Sequence, residues 1–201
     1  HTPIRRQRQM CIRDSVDGNK FIDLICGWGP MILGYNNPII DKAAQKQYSL
    51  GNTVSVASPV MIELAETLVD TVEIAEWALF GKNGGDSTQL AVMISRQETG
   101  KDKVLKINGG YHGANGWMQR EGSPGTIDSD SSEVISIPWN NIEEFDSVIS
   151  KFENEIACFI SSPFHHPTSE DNVLPKKGYW EHIQKVLSLI HISEPTRLAE
   201  I

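Results

Sequence analysis

The chain has 201 residues, enough for one domain with a sizeable core. A formal net charge of -8 with no basic stripe argues against nucleic acid as a main partner. No apolar run approaches the length of a membrane span, and the three scattered cysteines (Cys11, Cys26, Cys158) form no C-x-x-C pair. Neither a disulfide framework nor a zinc site is indicated, and a reducing cytoplasm is the expected compartment.

Both ends read as foreign to the fold. His1 to Ser15 carries Arg5, Arg6, Arg8 and Arg13 without helical or strand period, and Leu187 to Ile201 breaks a helical pattern at Ser193-Glu194-Pro195. The strings RQRQMCIRDS and LSLIHISEPTR resemble translated sequencing-adapter read-through, and both stretches are set apart as artefacts. What remains divides into an N-terminal segment, 16–58, and a larger region, 59–186.

In chain order, Asp17-Gly18 is a turn and Phe21 to Ile25 a short strand, broken by Gly27-Trp28-Gly29-Pro30. Ile39 to Leu50 reads as a helix. Ser58-Pro59 starts another, with Met61, Leu64, Ala65 and Leu68 on one face. Glu76 to Phe80 reads as a buried strand, Asn83 to Ser87 as a turn, and Thr88 to Thr99 as a helix ended by Gly100. Leu90, Met93, Ile94 and Gln97 fall at helical spacing on it. Strands follow at Lys103 to Ile107, Val134 to Ile137 and Ile156 to Ile160. The helix marked by Ile142, Phe145, Ile149 and Phe152 lies between the last two, and another begins at Pro175 and runs to about Val186. Asp128 to Glu133 is a polar loop. Strands alternating with helices predict an α/β architecture around a mainly parallel sheet.

Two stretches carry possible chemistry. The first, Phe80 to Thr88, joins a predicted strand to a predicted helix through Gly84-Gly85. Adjacent glycines permit close backbone approach, and a helix start offers free N–H groups and a positive dipole end. That combination suits phosphate, with Asp86, Ser87 or Thr88 as the cap. A plain capped turn explains the same residues, and neither G-x-x-x-x-G-K-S/T nor G-x-G-x-x-G is present. The second, Gly109-Gly110-Tyr111-His112-Gly113, follows the next strand, where ligands of open α/β sheets bind. Tyr111 there can lie against a planar ring. A core tyrosine and a satisfied histidine account for Tyr111 and His112 equally well in isolation.

Together, a phosphate loop and an aromatic platform fit a planar phosphorylated cofactor. Trp28 to Gly34, Asn83 to Arg96, Thr99-Gly100-Lys101 and Tyr111-His112-Gly113 resemble, in residues and spacing, the class III aminotransferases that use pyridoxal 5'-phosphate (PLP). The likeness is strongest to the glutamate-1-semialdehyde aminomutase branch and extends over about residues 16–186. It implies fold type I, with 59–186 forming part of a PLP-binding large domain. It implies a small amino or keto acid substrate and a homodimer with shared active sites. On the same basis Asn83, Gly84, Gly85 and Asp86 hold the phosphate, Tyr111 stacks on the pyridine ring with His112 beside it, and Trp28 lines the substrate side. The pattern departs from the family at Asn83-Gly84-Gly85-Asp86, for Ser-Gly-Thr-Glu, and at Ser162-Pro163, for Glu-Pro.

The resemblance also implies that the lysine forming a Schiff base with the cofactor, and the acid facing the pyridine nitrogen, lie beyond this chain. Lys82, Lys101, Lys103, Lys106, Lys176 and Lys177 match neither position, so no catalytic residue is assigned and the chain alone is expected to be inactive. A phosphate- or nucleotide-binding α/β module without PLP chemistry is the alternative. A third expectation is a fragment that does not fold stably, because its sheet lacks strands. No metal is expected: His165-His166 is read as a solvated loop pair, since neighbours on an extended segment point apart. Glu143-Glu144 is read as a solvated helix face and Cys158 as a core residue.

Overall fold

The computed structural model describes residues 12–14, 16–52, 55–166 and 171–189. Two compact units emerge, residues 1–64 and 65–201. In the first, strands β1 (Ile12–Asp14) and β2 (Lys20–Ile22) pair antiparallel, Ile12 opposite Ile22. β1 lies inside the stretch that the sequence reading set aside. Helix α1 (Pro38–Leu50) starts where Asn37 Oδ1 accepts from the Ile39 amide at 3.0 Å, with Pro38 at a position that needs no donor. Helix α2 (Pro59–Thr71) starts as the sequence predicts, with Ser58 Oγ accepting from the Met61 amide. The face expected to be apolar and covered differs: Met61, Leu64 and Leu68 are exposed.

The second unit is built on a three-stranded parallel sheet of order β4-β3-β5: β3 (Lys103–Ile107), β4 (Val134–Ile137) and β5 (Ile156–Ile160). Val104 sits opposite both Val134 and Cys158. Parallel strands buried on two faces read as continuous apolar runs, and all five residues of β5 are buried. Alternation along β3 and β5 divides the core into two layers. On one face Val104, Cys158 and Ile160 pack with Val92 of helix α3 (Gly84–Thr99). On the other, Leu105, Ile107 and Phe159 pack with Phe145 and Ile149 of helix α5 (Ile142–Phe152), and with Tyr179, Ile183 and Leu187 of helix α6 (Tyr179–Leu189). Leu187 therefore lies in the core, one residue beyond the boundary drawn from sequence at Val186.

Five expectations are corrected. Glu76 to Phe80 is not a strand; Trp77 and Leu79 are exposed, and no strand among the described residues pairs with them. An apolar run becomes a strand only when a partner supplies ladder bonds. Helix α3 begins at Gly84, four residues before the predicted Thr88, because Asn83 caps it. Its inward residues are Val92 and Ser95, while Met93 and Gln97 face out: small side chains let the helix lie close on the sheet. The stretch read as a polar loop contains the short helix α4 (Asp128–Ser131), in which Asp130 Oδ2 accepts from the Ile127 amide. Helix α6 starts at Tyr179, four residues after Pro175. Glu143 and Glu144 are exposed and Cys158 is fully buried, as read from sequence; burial pushes the Cys158 thiol up to about 11.

Truncating a side chain between the sheet and α5 is expected to be costly. Phe159→Ala should lower the unfolding free energy by about 3–5 kcal/mol, whereas Met61→Ala, at an exposed site, should change it by about 0.5 kcal/mol or less. Urea titrations of the two variants check this.

Candidate functional site

The predicted phosphate loop and the predicted aromatic turn meet at one end of the second unit. Asn83 Oδ1 accepts from the Asp86 amide at 3.0 Å, and Asn83 Nδ2 donates to Asp86 Oδ2 at 3.1 Å, so these two residues lock the first turn of α3 reciprocally. Helix geometry leaves the Gly84 and Gly85 amides, at the first two helical positions, without intrahelical acceptors. They carry the positive end of the α3 dipole. Asp86 commits its amide and one carboxylate oxygen to Asn83. It serves the cap, and the free donors of the loop belong to the two glycines.

The turn after β3 is pressed onto this helix start. Thr88 Oγ1 donates to the His112 carbonyl at 2.7 Å. Gly113 adopts φ +137°, and a Cβ built on it would lie 2.8 Å from Gly85 Cα and 2.5 Å from Met118 Sδ. Gly113 is thus required twice, by conformation and by space. Gln119 Nε2 donates to the Gly113 carbonyl at 3.0 Å, and Gln89 Oε1 accepts from Trp117 Nε1 at 2.6 Å. The 3-10 turn Gly116–Met118 is thereby tied to both α3 and the Tyr111 turn.

Tyr111 and His112 take opposite environments. Tyr111 is 81% exposed, which overturns the core-tyrosine explanation. His112 is 7% exposed, and its Nε2 is buried without a partner, so it is not a satisfied histidine either. Burial foremost, and the positive charge of Lys106 second, push the His112 imidazole down to about 4. It is neutral at physiological pH.

Tyr111 also borders a cleft of about 220 Å³ at the carboxyl ends of all three strands. Gly110 and Tyr111 come from the turn after β3, Trp139 from beyond β4, and Ser161, Ser162 and His165 from beyond β5. This is where open α/β sheets bind ligands. His165 is half-buried, stacked on Trp139 at 6.0 Å between centroids, and it forms an antiparallel bridge with Val173; only His166 fits the solvated reading. Among the described residues no group of three or more His, Cys, Asp or Glu could hold a metal ion.

Trp28 belongs to the other unit. It lies in a turn whose four successive residues, Cys26 to Gly29, all have positive φ, and its ring is 85% exposed. Asp23 Oδ1 organises the entry to this turn by accepting from the Ile25 and Cys26 amides. Sequence reasoning named Thr88 only as a candidate cap, and it missed Gln89, Lys106 and Gln119. Only Lys106 left a signal: a lysine two residues from Val104 on a strand buried on both faces.

The family profile described as Aminotransferase class-III matches residues 1–166. The aminopentol aminotransferase of Sphingopyxis macrogoltabida is 35% identical over 158 residues, 79% of this chain and 37% of that protein. A glutamate-1-semialdehyde 2,1-aminomutase of Methanobrevibacter smithii is 33% identical over 180 residues, 85% of this chain and 42% of that protein. Among solved structures, a PLP form of the FumI protein from Sphingopyxis sp. MTA144 superposes with a TM-score of 0.86 at 31% identity, covering 91% of this chain and 44% of that one. An omega-transaminase from Sphaerobacter thermophilus shares the fold, with a TM-score of 0.83 at 21% identity over 90% of this chain and 45% of that one. The chain spans less than half the length of these relatives.

Two predictions follow from the geometry. Gly113→Ala should destabilise the second unit by about 2 kcal/mol or more, through overpacking and left-handed strain. Gly84→Ala, whose Cβ meets nothing within 4 Å, should stay within about 1 kcal/mol of the parent; urea unfolding followed by tryptophan fluorescence separates them. The second concerns pH. Unfolded His112 titrates near 6.5 and folded His112 at about 4, so between these values the unfolded chain binds the additional proton. Stability is full above about pH 6.5 and falls toward pH 4, by up to about 3 kcal/mol from this group. His112→Gln should flatten that part of the pH–stability curve.

Proposed function

Because the chain belongs to the class III aminotransferase family, we propose that it carries the PLP-binding front part of an enzyme that moves an amino group on a small amino or keto acid. The observation that supports this most is the meeting of Gly84-Gly85 with Tyr111-His112-Gly113. A phosphate is served by the two unused amides at the start of α3, and a planar ring by the exposed face of Tyr111. The residues fit the group. His112, neutral and beneath the turn, fills the site floor without adding a charge. Bound there, PLP supplies an electron sink for chemistry at the carbon bearing the amino group.

The chain's own part is to bind, orient and exclude water. No lysine is among the described residues that line the cleft. Lys106 Nζ is committed to the carbonyls of Trp117 and Gln119, Lys101 Nζ to that of Glu153, and Lys103 Nζ to Glu133 and Glu155. Lys176 Nζ lies 3.4 Å from the Asn140 carbonyl. In the proposal the lysine that takes the cofactor and the acid for its ring nitrogen come from sequence outside these residues. Trp28 would line the substrate side. The intact protein would be a homodimer, consistent with exposed Phe21, Leu24, Ile25 and Trp28 in the first unit. The cytoplasm is the compartment this reading gives the protein, and no helix among the described residues is long and apolar enough to cross a membrane.

Equilibrium dialysis of the 201-residue chain against PLP, ADP and ATP tests the reading. PLP should bind more tightly than either nucleotide, and Tyr111→Ala should weaken PLP about tenfold, the equivalent of about 1.4 kcal/mol of lost stacking. Preference for a nucleotide would instead support a phosphate-binding module without PLP chemistry. With PLP and an amino donor the chain alone should show no amino transfer.

A further inference from the structure

A buried cation lies under the Tyr111 turn, and the cofactor reading makes no use of it. Lys106 is 4% exposed on the central strand β3. Strand alternation puts it on the same face as Val104, toward α3. Burying an ammonium group is costly, and a methionine of similar length would avoid the cost. Burial also lowers the Lys106 pKa. The partners that hold it are unusual for a buried lysine: both are main-chain carbonyls, Trp117 O at 3.0 Å and Gln119 O at 2.7 Å. The ammonium group therefore fixes backbone and neutralises no carboxylate.

The backbone it fixes leads directly to the site. Gln119 passes the constraint to the Gly113 carbonyl through Nε2. Met118, between the two clamped carbonyls, sets its sulfur against Gly113 and 3.9 Å from Thr88 Oγ1. Trp117 is anchored to Gln89 of α3.

We propose that Lys106 is a positioning residue of the ligand site: by clamping the carbonyls of Trp117 and Gln119 it holds Met118 and Gln119 against Gly113 and keeps the Tyr111–Gly113 turn seated on the first turn of α3. Its meaning for cofactor binding rests on the reading of this surface given above. The mechanical role does not.

The test uses the full 201-residue chain with Lys106→Met and Gln119→Leu, followed by amide hydrogen exchange and by histidine titration in NMR. The Met118 and Gln119 amides are bonded to Asn115 O and Gly116 O. In Lys106→Met they should exchange about tenfold faster or more, with the Leu105 and Phe159 amides unchanged. The His112 midpoint should rise from about 4 in Lys106→Met, which loses the charge, and stay in place in Gln119→Leu, which loses only the relay. PLP affinity should fall about tenfold in both. Unchanged exchange at Met118 and Gln119 overturns the proposal, as does a loss of protection spread evenly over the β3–β5 ladder, which would mark an ordinary core residue. Should Lys106→Met fail to fold, Gln119→Leu decides: unaltered protection from Ala114 to Gln119 overturns the role. If the parent chain takes no PLP while the exchange pattern appears as expected, the cofactor reading fails and the positioning role stands.

Discussion

The turn after β3 approaches the start of α3 so closely that Gly113 can carry no side chain at the contact. A Cβ on Gly113 would lie 2.8 Å from Gly85 Cα, whereas one on Gly85 would lie 3.6 Å from Gly113 Cα. Everything at the candidate site depends on this backbone contact. It brings two unused amides and an exposed tyrosine ring to the same end of a parallel sheet. Without it, the loop is a capped helix start and the turn a surface tyrosine, each of a kind found in many α/β proteins. The contact makes them one surface, which is the surface the proposed cofactor reading uses.

The charges around the contact follow a consistent arrangement. The α3 dipole places positive potential at the glycines and Lys106 places it at His112, while the carboxylate of Asp86 is drawn back to Asn83 Nδ2. His112 stays neutral between them because burial and Lys106 both disfavour its proton. A charged imidazole there would be destabilised by the same lysine that holds the turn. The neutral ring and the buried ammonium are therefore parts of one arrangement, since Lys106 supplies a constraint through its donors and a field through its charge.

What the sequence disclosed, and what it hid, divides along physical lines. The strands at 103–107, 134–137 and 156–160 were legible because burial on both faces leaves an unbroken apolar run. Residues 76–80 gave the same signal and form no strand, since an apolar run carries no information about whether a partner strand exists. The start of α3 was misplaced because Gly84-Gly85 reads as a turn, while the reciprocal bonds of Asn83 and Asp86 are enough to begin a helix there. The inward face of α3 was misread because hydrophobicity points to Leu90 and Met93, whereas close packing on the sheet selects the smaller Val92 and Ser95. At the site, the two glycine-bearing stretches that folding brings together were legible from glycine spacing and family likeness. The residues that hold them, Thr88, Gln89 and Gln119, were not: an ordinary polar residue gains such a role only when folding brings a partner group from 6 to 28 positions away within reach.

The lysines bear on how the chemistry is divided along the family's sequence. A nucleophilic amine must be unprotonated, mobile and near the reacting carbon. Lys106 comes nearest, being buried beside the site with a lowered pKa, yet two carbonyl acceptors hold its ammonium on the α3 side of the sheet. An amine that forms a covalent bond to a ligand must release such acceptors, and releasing these would loosen the turn that carries Tyr111. The geometry therefore sets a conflict between holding the binding surface and performing covalent chemistry, and in Lys106 it is resolved in favour of holding. In the reading proposed above, a second lysine from a separate segment would remove that conflict, which is a physical reason for binding surface and nucleophile to be supplied by different parts of a chain.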